Sequence, residues 1–347
     1  MALCVTVDDC WKTAVPLLYQ FNDTLASQIS RMCEQGRLSY LKTAFIISNP
    51  CNVLCHIKTA TTPINLSFYT FLEILAIYDI QIPVTSLFLC EAPGGFIQAM
   101  LHKSKQLSYK TYDINASDFH VDIKRSNIIM SEHINDIRKC VNTEYIIDKI
   151  QGVDFITADG CTGEYKIGQE ETQIFGLLLA QTHVALNTLN NKGTFILRIY
   201  QMWQNMTQGL LWYIYLVFEN IQFIKPNTFD KCSYVKYVVC TGYNKCLFES
   251  KYACKFNSIK SNNTYFEYPM EWGAWLSHIQ QRFTSDTEAC ITKALDIVHI
   301  LIEHKPFMNQ TQLDTIVSRC MNDEGLQVFG YKYIKKSAHV FCNPPVL

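Results

Sequence analysis

The chain has 347 residues, enough for about two domains of ordinary size and for a full core without disulfide or metal staples. Apolar residues make up 48% and charged residues 18%, which excludes a disordered chain. A net charge of −1 excludes a globally basic nucleic-acid binder, so any nucleic-acid site is a local patch.

The 15 cysteines are odd in number and scattered, as in a reduced intracellular protein rather than a small secreted framework. The opening MALCVTVDDCWK has acids where a signal peptide would be basic. The most apolar stretch, Leu210 to Phe218, is nine residues against the ~20 of a bilayer span. The expectation is a soluble chain of cytoplasm or nucleus that does not engage a membrane.

Residues 1–60 read as a helical and loop extension broken by Pro16 and Asn49-Pro50. Residues 64–79 have helical spacing, with Phe68, Phe71, Leu72 and Leu75 on one face. The apolar run Ser86–Cys90 is a strand, followed by a glycine turn and a helix from Phe96 to Leu101. Further strands are expected at Tyr109–Asp113, Asn127–Met130 and Val153–Ala158. Glu170–Leu189 reads as an amphipathic helix with Ile174, Leu178, Ala185 and Leu189 on one stripe. Gly193–Tyr200 is a buried strand, 207–218 a helix, and Phe223–Lys225 with Tyr234–Thr241 a final strand pair. Strands alternating with helices indicate an α/β fold built on a parallel sheet. After a soft boundary at 248–265 the chain turns mainly helical, over Trp272–Phe283, Thr287–Glu303 and Gln310–Met321, with a last strand near Val328–Val340. The expected division is an extension over 1–60, a principal domain over 61–248 and a C-terminal extension over 265–347.

Ligands of doubly wound sheets bind beyond the carboxyl ends of the strands. The turn Glu91-Ala92-Pro93-Gly94-Gly95-Phe96 lies there, and its glycines let backbone approach a ligand closely. Asp113 ends the next strand, where a carboxylate commonly accepts ribose hydroxyls. No dinucleotide fingerprint and no phosphate loop is present. An S-adenosyl compound has no pyrophosphate and needs neither.

Phe88–Phe96 resembles the cofactor loop of FtsJ-type (RrmJ-like) ribose 2′-O-methyltransferases, and Phe155–Gly160 their catalytic-aspartate strand. Gly168–Glu171, Leu177–Gln181, Gly193–Tyr200, Lys225-Pro226 and Ser233–Cys240 resemble the motifs that follow, in order, in Adrift-type cap methyltransferases. The resemblance covers about half of the chain, ~64–245. It implies a Rossmann-like sheet with helices on both faces, S-adenosyl-L-methionine at the glycine loop and Asp159, capped mRNA as partner, and a Lys-Asp-Lys-Glu tetrad acting on a ribose hydroxyl. Aligned on that tetrad, this chain has Thr70, Asp159, Arg198 and Lys236. Phe71-Leu72-Glu73-Ile74 anchors Thr70 there, against Lys42 and Lys58 as substitutes. Arginine keeps its proton in proteins and cannot serve as a base. The set changes from net zero to +1.

Two principal functions follow, beside a third in which the methyl acceptor is a different one. One is a degenerate homologue that binds cofactor or RNA and acts as a scaffold subunit, its exposed extension open to a protein partner. The other is an active cap 2′-O-methyltransferase with Lys236 as a relocated base, its pKa lowered by Arg198. Cys51, Cys55 and His56 lack zinc-pair spacing, and Cys232, Cys240, Cys246 and Cys254 are expected as buried thiols, so no metal is expected. Trp212, Tyr213 and Tyr215 read as core, while Trp203 is the candidate for base stacking. Lys332, Lys335 and Lys336 with Tyr331 and Tyr333 read as a solvated strand edge.

Overall fold

A computed structural model describes residues 63–81, 83–129, 136–150, 152–161, 170–262, 267–303 and 339–341, together with Ala44. Lys42, Cys51, Cys55, His56, Lys58, the 310–321 helix, the 331–336 cluster and most of the 1–60 extension lie outside these residues. The elements in order are α1 (Ser67–Ile77), β1 (Thr85–Leu89), α2 (Gly95–Lys103), β2 (Ser108–Tyr112), α3 (Cys140–Lys149), β3 (Val153–Ala158) and α4 (Glu170–Thr188). Then come β4 (Leu189–Ile199), α5 (Asn205–Val217), β5 (Phe218–Lys225), β6 (Lys236–Tyr243), α6 (Ala253–Asn262), α7 (Met270–Glu303) and β7 (His339–Phe341).

The sheet has the order β2-β1-β3-β4-β6-β5-β7. β2, β1, β3 and β4 are parallel. β6 inserts antiparallel between β4 and β5, and β7 adds antiparallel at the β5 edge. The sheet is therefore mixed, not wholly parallel as the strand–helix alternation suggested. Of the strand expected at Asn127–Met130, the described residues show a single parallel bridge, Thr111 to Ile128.

Strand alternation divides the core between two faces. Phe88, Phe155, Ile196, Tyr237 and Val239 pack with Phe71 of α1 and Phe96 of α2. Leu87, Leu89, Ile156, Leu197 and Val238 face the other way, against α4, α5 and α7. Trp272, Leu276, Ile279 and Phe283 carry α7 into that same cluster. Helices therefore cover both faces. No helix among the described residues is long and apolar enough to cross a membrane.

Sequence reading splits α7 at Thr284-Ser285-Asp286, residues that usually cap helices. The structure runs one helix through them. Gln280 donates to Thr284 Oγ1 (3.0 Å), and Thr287 Oγ1 donates back to the Phe283 carbonyl (2.8 Å), so these hydroxyls bond within the helix instead of ending it. Cys232 and Cys240 are buried, but Cys246 and Cys254 are exposed, contrary to the buried thiols expected. Tyr213 is buried, while Trp212 and Tyr215 are half-buried and pack on Trp272 with ring centroids 5.2 and 5.0 Å away.

β5 ends on Lys225, whose ammonium donates to the Lys231 carbonyl (2.7 Å), the Ser233 carbonyl and Thr287 Oγ1 (2.7 Å). Burial pulls its pKa from 10.5 down to about 8, against the opposing pull of Asp230, Cys232, Cys290 and Asp286. Between those values the unfolded chain holds a proton that the folded chain has released, so stability rises with pH. Relative to a Lys225→Met variant, the native chain should gain ~1–2 kcal/mol between pH 8 and pH 10, read from urea unfolding. Parallel curves for the two proteins would refute this.

Candidate active site

The strand order reverses at β1: β2 lies on one side of it and β3 on the other. A crevice opens beyond the carboxyl ends of strands at such a point. The pairing of Leu89 with Ala158, and of Ala158 with Leu197, brings the ends of β1, β3 and β4 together there.

The β1 end supplies the glycine turn. Glu91 is 3% exposed, and its Oε1 accepts from the Phe96 N–H at the start of α2 (2.8 Å). Its Oε2 is buried with no hydrogen-bond partner among the described residues. Burial, then the charge of Asp159, hold the Glu91 carboxyl well above the usual range. Gly94 has φ +111°, a conformation that side-chain-bearing residues rarely adopt. An ideal Cβ on Gly95 would overlap Asn65 Oδ1 and Ser67 Oγ, so α1 and α2 approach only because that atom is missing. Pro93 accepts from the His120 N–H (3.0 Å). Asp113 follows β2 and is half-buried; its carboxylate accepts from the Ala92 N–H (3.1 Å) and the Asn115 N–H (3.3 Å). The two ends of the expected cofactor pattern, Ala92 and Asp113, are thus directly bonded. Burial raises the Asp113 carboxyl, and the N–H donors oppose that shift.

The β3 end supplies Asp159, whose N–H bonds the Leu89 carbonyl (3.1 Å). Its Oδ1 lies 3.7 Å from Arg198 Nη1 of β4 and accepts from the Tyr237 hydroxyl of β6 (2.9 Å). The Arg198 and Asp159 side chains are 17% and 14% exposed, so the pair is sheltered yet open to a ligand. Burial raises the Asp159 carboxyl, while Arg198 and Tyr237 pull it back. The Arg198 guanidinium lies 5.3 Å from the Tyr200 ring and 6.0 Å from Phe229. Burial works against its charge, and Tyr200 and Asp159 outweigh that, keeping it firmly protonated.

The structure thus brings Asp159 and Arg198 together and adds Tyr237, which sequence reading missed. Burial, then Asp159, hold the Tyr237 hydroxyl well above its usual pKa, so it acts as a donor. Thr70 is buried in α1 and takes no part in the Asp159 ion pair or its hydrogen bonds. Lys236 pairs with Ile199, one residue out of step with the Arg198–Tyr237 pair, and so points to the opposite face of the sheet. Its ammonium donates to the Tyr200 carbonyl, the Tyr234 carbonyl (3.1 Å) and Gln280 Oε1 (3.1 Å), beside the Phe283 ring. Burial, then Lys225, push its pKa well below the usual lysine value; Arg198 is not the cause. Trp203 lies half-buried in the segment after β4, where Glu171 accepts from the Trp203 and Gln204 N–H groups (3.2 and 3.0 Å). Among the described residues no three His, Cys, Asp or Glu side chains are grouped to hold a metal ion.

The FtsJ-like methyltransferase model matches residues 67–243, from the start of α1 to the end of β6. The chain is 24% identical over 191 residues to cap-specific mRNA (nucleoside-2′-O-)-methyltransferase 2 of Drosophila melanogaster, covering 47% of this chain and 27% of that protein. It is 29% identical over 180 residues to cap-specific mRNA (nucleoside-2′-O-)-methyltransferase 1 of Bos taurus, covering 44% of this chain and 21% of that protein. The chain therefore spans under a third of the length of these relatives. Human methyltransferase-like protein 13, solved in complex with SAH, aligns with a TM-score of 0.36 at 12% identity, covering 59% of this chain and 93% of that one. The match over 67–243 takes in the glycine turn, Asp159, Arg198 and Tyr237 and just over half of the sequence, and the chain belongs to the FtsJ-like methyltransferase family.

Proposed function

We propose that the chain binds S-adenosylmethionine and capped RNA as a homologue of cap 2′-O-methyltransferases that has lost methyl transfer and serves as a binding or scaffold subunit. The observation that carries this reading is Arg198. It stands where the family's base belongs, is paired with Asp159 and is packed against two aromatic rings.

The cofactor turn fits its ligand. Glu91 offers a buried carboxyl oxygen with no partner among the described residues, the backbone of Gly94 holds a conformation that side-chain-bearing residues rarely adopt, and Asp113 remains half-buried with its carboxyl at hand for hydroxyl groups. Bound there, an S-adenosyl sulfonium carries an electrophilic methyl group. The acceptor side lacks the means to use it. A ribose hydroxyl needs a base or charge-stabilising partner to become a nucleophile. Arg198 keeps its proton, Tyr237 already donates to Asp159, and Lys236 lies on the opposite face. Arg198 instead suits the phosphate or ribose oxygens of RNA.

Calorimetric titration of the folded full chain should give micromolar binding of S-adenosylmethionine and S-adenosylhomocysteine. Incubation with capped RNA should give no methyl transfer. Turnover that disappears in Asp159→Asn would overturn the loss of catalysis. If turnover survives in Lys236→Met, the relocated base is excluded as well. A folded chain that binds neither compound would overturn the cofactor assignment.

A further inference from the structure

The segment Tyr200–Gln204 leaves the carboxyl end of β4 directly after Arg198 and Ile199, at the strand end where Arg198 meets Asp159. Such a segment is ordinarily free to move. Here its backbone is held from several directions. The Tyr200 carbonyl accepts from the Lys236 ammonium of β6. The Met202 N–H donates to Gln280 Oε1 of α7 (3.2 Å), and the Met202 carbonyl accepts from Gln208 Nε2 of α5 (2.8 Å). Glu171 takes the next two N–H groups.

Gln280 is the junction of this network. It is fully buried, and its one carbonyl oxygen serves both Met202 and Lys236. Its amide nitrogen is held by Thr284 within α7, which fixes the oxygen toward the segment. The same helix also fixes Gln208. Ser277 Oγ accepts from its side-chain amide (3.2 Å), and Trp272 Nε1 donates to its backbone carbonyl (2.9 Å). Tyr200, held at its carbonyl, stacks its ring on Arg198, and Arg198 pairs with Asp159. A continuous run of contacts thus leads from Gln280 through Lys236 and Tyr200 to Arg198 and Asp159. α7 begins at Met270, beyond the matched region 67–243.

We infer that α7 completes the acceptor side of the site, and that Gln280 is a positioning residue for RNA recognition. Through Met202 and Lys236 it sets the Tyr200–Gln204 segment and the seat of Arg198. Lys236 thereby gains a role in holding that segment. The affinity arm of the test rests on the RNA-binding reading above; the exchange arm does not.

The test uses the full chain with Gln280→Leu and Gln280→Glu. Leucine removes both acceptor contacts. Glutamate keeps an oxygen for the Met202 N–H and pairs with the Lys236 ammonium. In Gln280→Leu, hydrogen exchange over 202–204 should accelerate at least ~10-fold, because a local closing interaction is lost. Binding of a capped oligoribonucleotide should weaken about 10-fold while S-adenosylmethionine affinity stays within about 2-fold. Gln280→Glu should restore both protection and RNA affinity. Unchanged exchange over 202–204 in Gln280→Leu would overturn the inference. So would acceleration spread evenly over α7 and β6 with equal losses of RNA and cofactor affinity, the pattern of general destabilisation. If the native chain binds cofactor but no capped RNA, the RNA reading fails, and exchange at Met202 alone still decides whether α7 sets the segment.

Discussion

Replacing Glu73 by alanine should cost roughly 3–5 kcal/mol of stability, because several buried donors lose their acceptor at ~1–3 kcal/mol each. Glu73 is 1% exposed on α1, and it accepts four hydrogen bonds from the turn after β5. Oε1 takes the Asn227 N–H (2.9 Å) and side-chain amide (3.0 Å); Oε2 takes the Thr228 N–H (2.8 Å) and hydroxyl (2.7 Å). Alanine would take this acceptor away from all four donors. Phe229 follows in the same turn and meets Tyr237 edge-on at 6.0 Å while covering Arg198. The loss should therefore reach the site as well as the fold. Urea unfolding reads the first effect, and the microenvironment of Arg198, followed by its side-chain NMR signals, reads the second. A cost under 1 kcal/mol would mean that the turn holds without α1.

Gly95→Ala should give the largest change in ligand binding. The added methyl group meets Asn65 Oδ1 and Ser67 Oγ, themselves hydrogen-bonded to each other at 2.5 Å. Either α1 shifts away from α2, or the turn shifts into the crevice. Overpacking of this kind costs ~1–3 kcal/mol in stability. Displacement of the Glu91–Phe96 turn should lower S-adenosylmethionine affinity by at least ~10-fold, since a small misplacement of a preorganised turn removes several contacts together. Calorimetry and thermal unfolding on the same preparation separate the two effects. Cofactor affinity equal to that of the native chain would show that the turn is not the binding wall.

The strands β1 and β3 were legible because each is a short, mainly apolar run, and the glycine turn was legible because its turn residues end such a run. α4 was legible because its stripe repeats at helical spacing. Asp113 and Asp159 could be placed because they follow strand ends. The antiparallel insertion of β6 was not legible, since an apolar strand carries no mark of its direction. The start of β4 was read at Gly193, yet the strand begins at Leu189 and passes through Lys192 at φ +67°. Asn190-Asn191-Lys192 looks like a turn and is in fact an irregularity, with a register shift opposite Val153 and Phe155. Lys236 was read onto the wrong face. On a strand, a displacement of one residue exchanges faces, and the neighbour Tyr237 occupies the position facing Asp159. The signal for Tyr237 was the alternation of Tyr237 and Val239 with Val238 and Cys240, which becomes informative only once the two faces are known.

That alternation bears on how this molecule tolerates changes in length. Connections between strands commonly absorb added or missing residues at little cost. The connection between β5 and β6 is tethered at Asn227 and Thr228 by Glu73, and at the Lys231 and Ser233 carbonyls by Lys225. Deleting one residue between 226 and 235 would either break these tethers or slip β6 by one step. A slip would turn Tyr237 toward α7 and bring Val238, which carries no hydroxyl, to the position facing Asp159. In a library of single-residue insertions and deletions, this largely buried connection should behave like a core strand, and divergence along it should proceed by substitution at constant length.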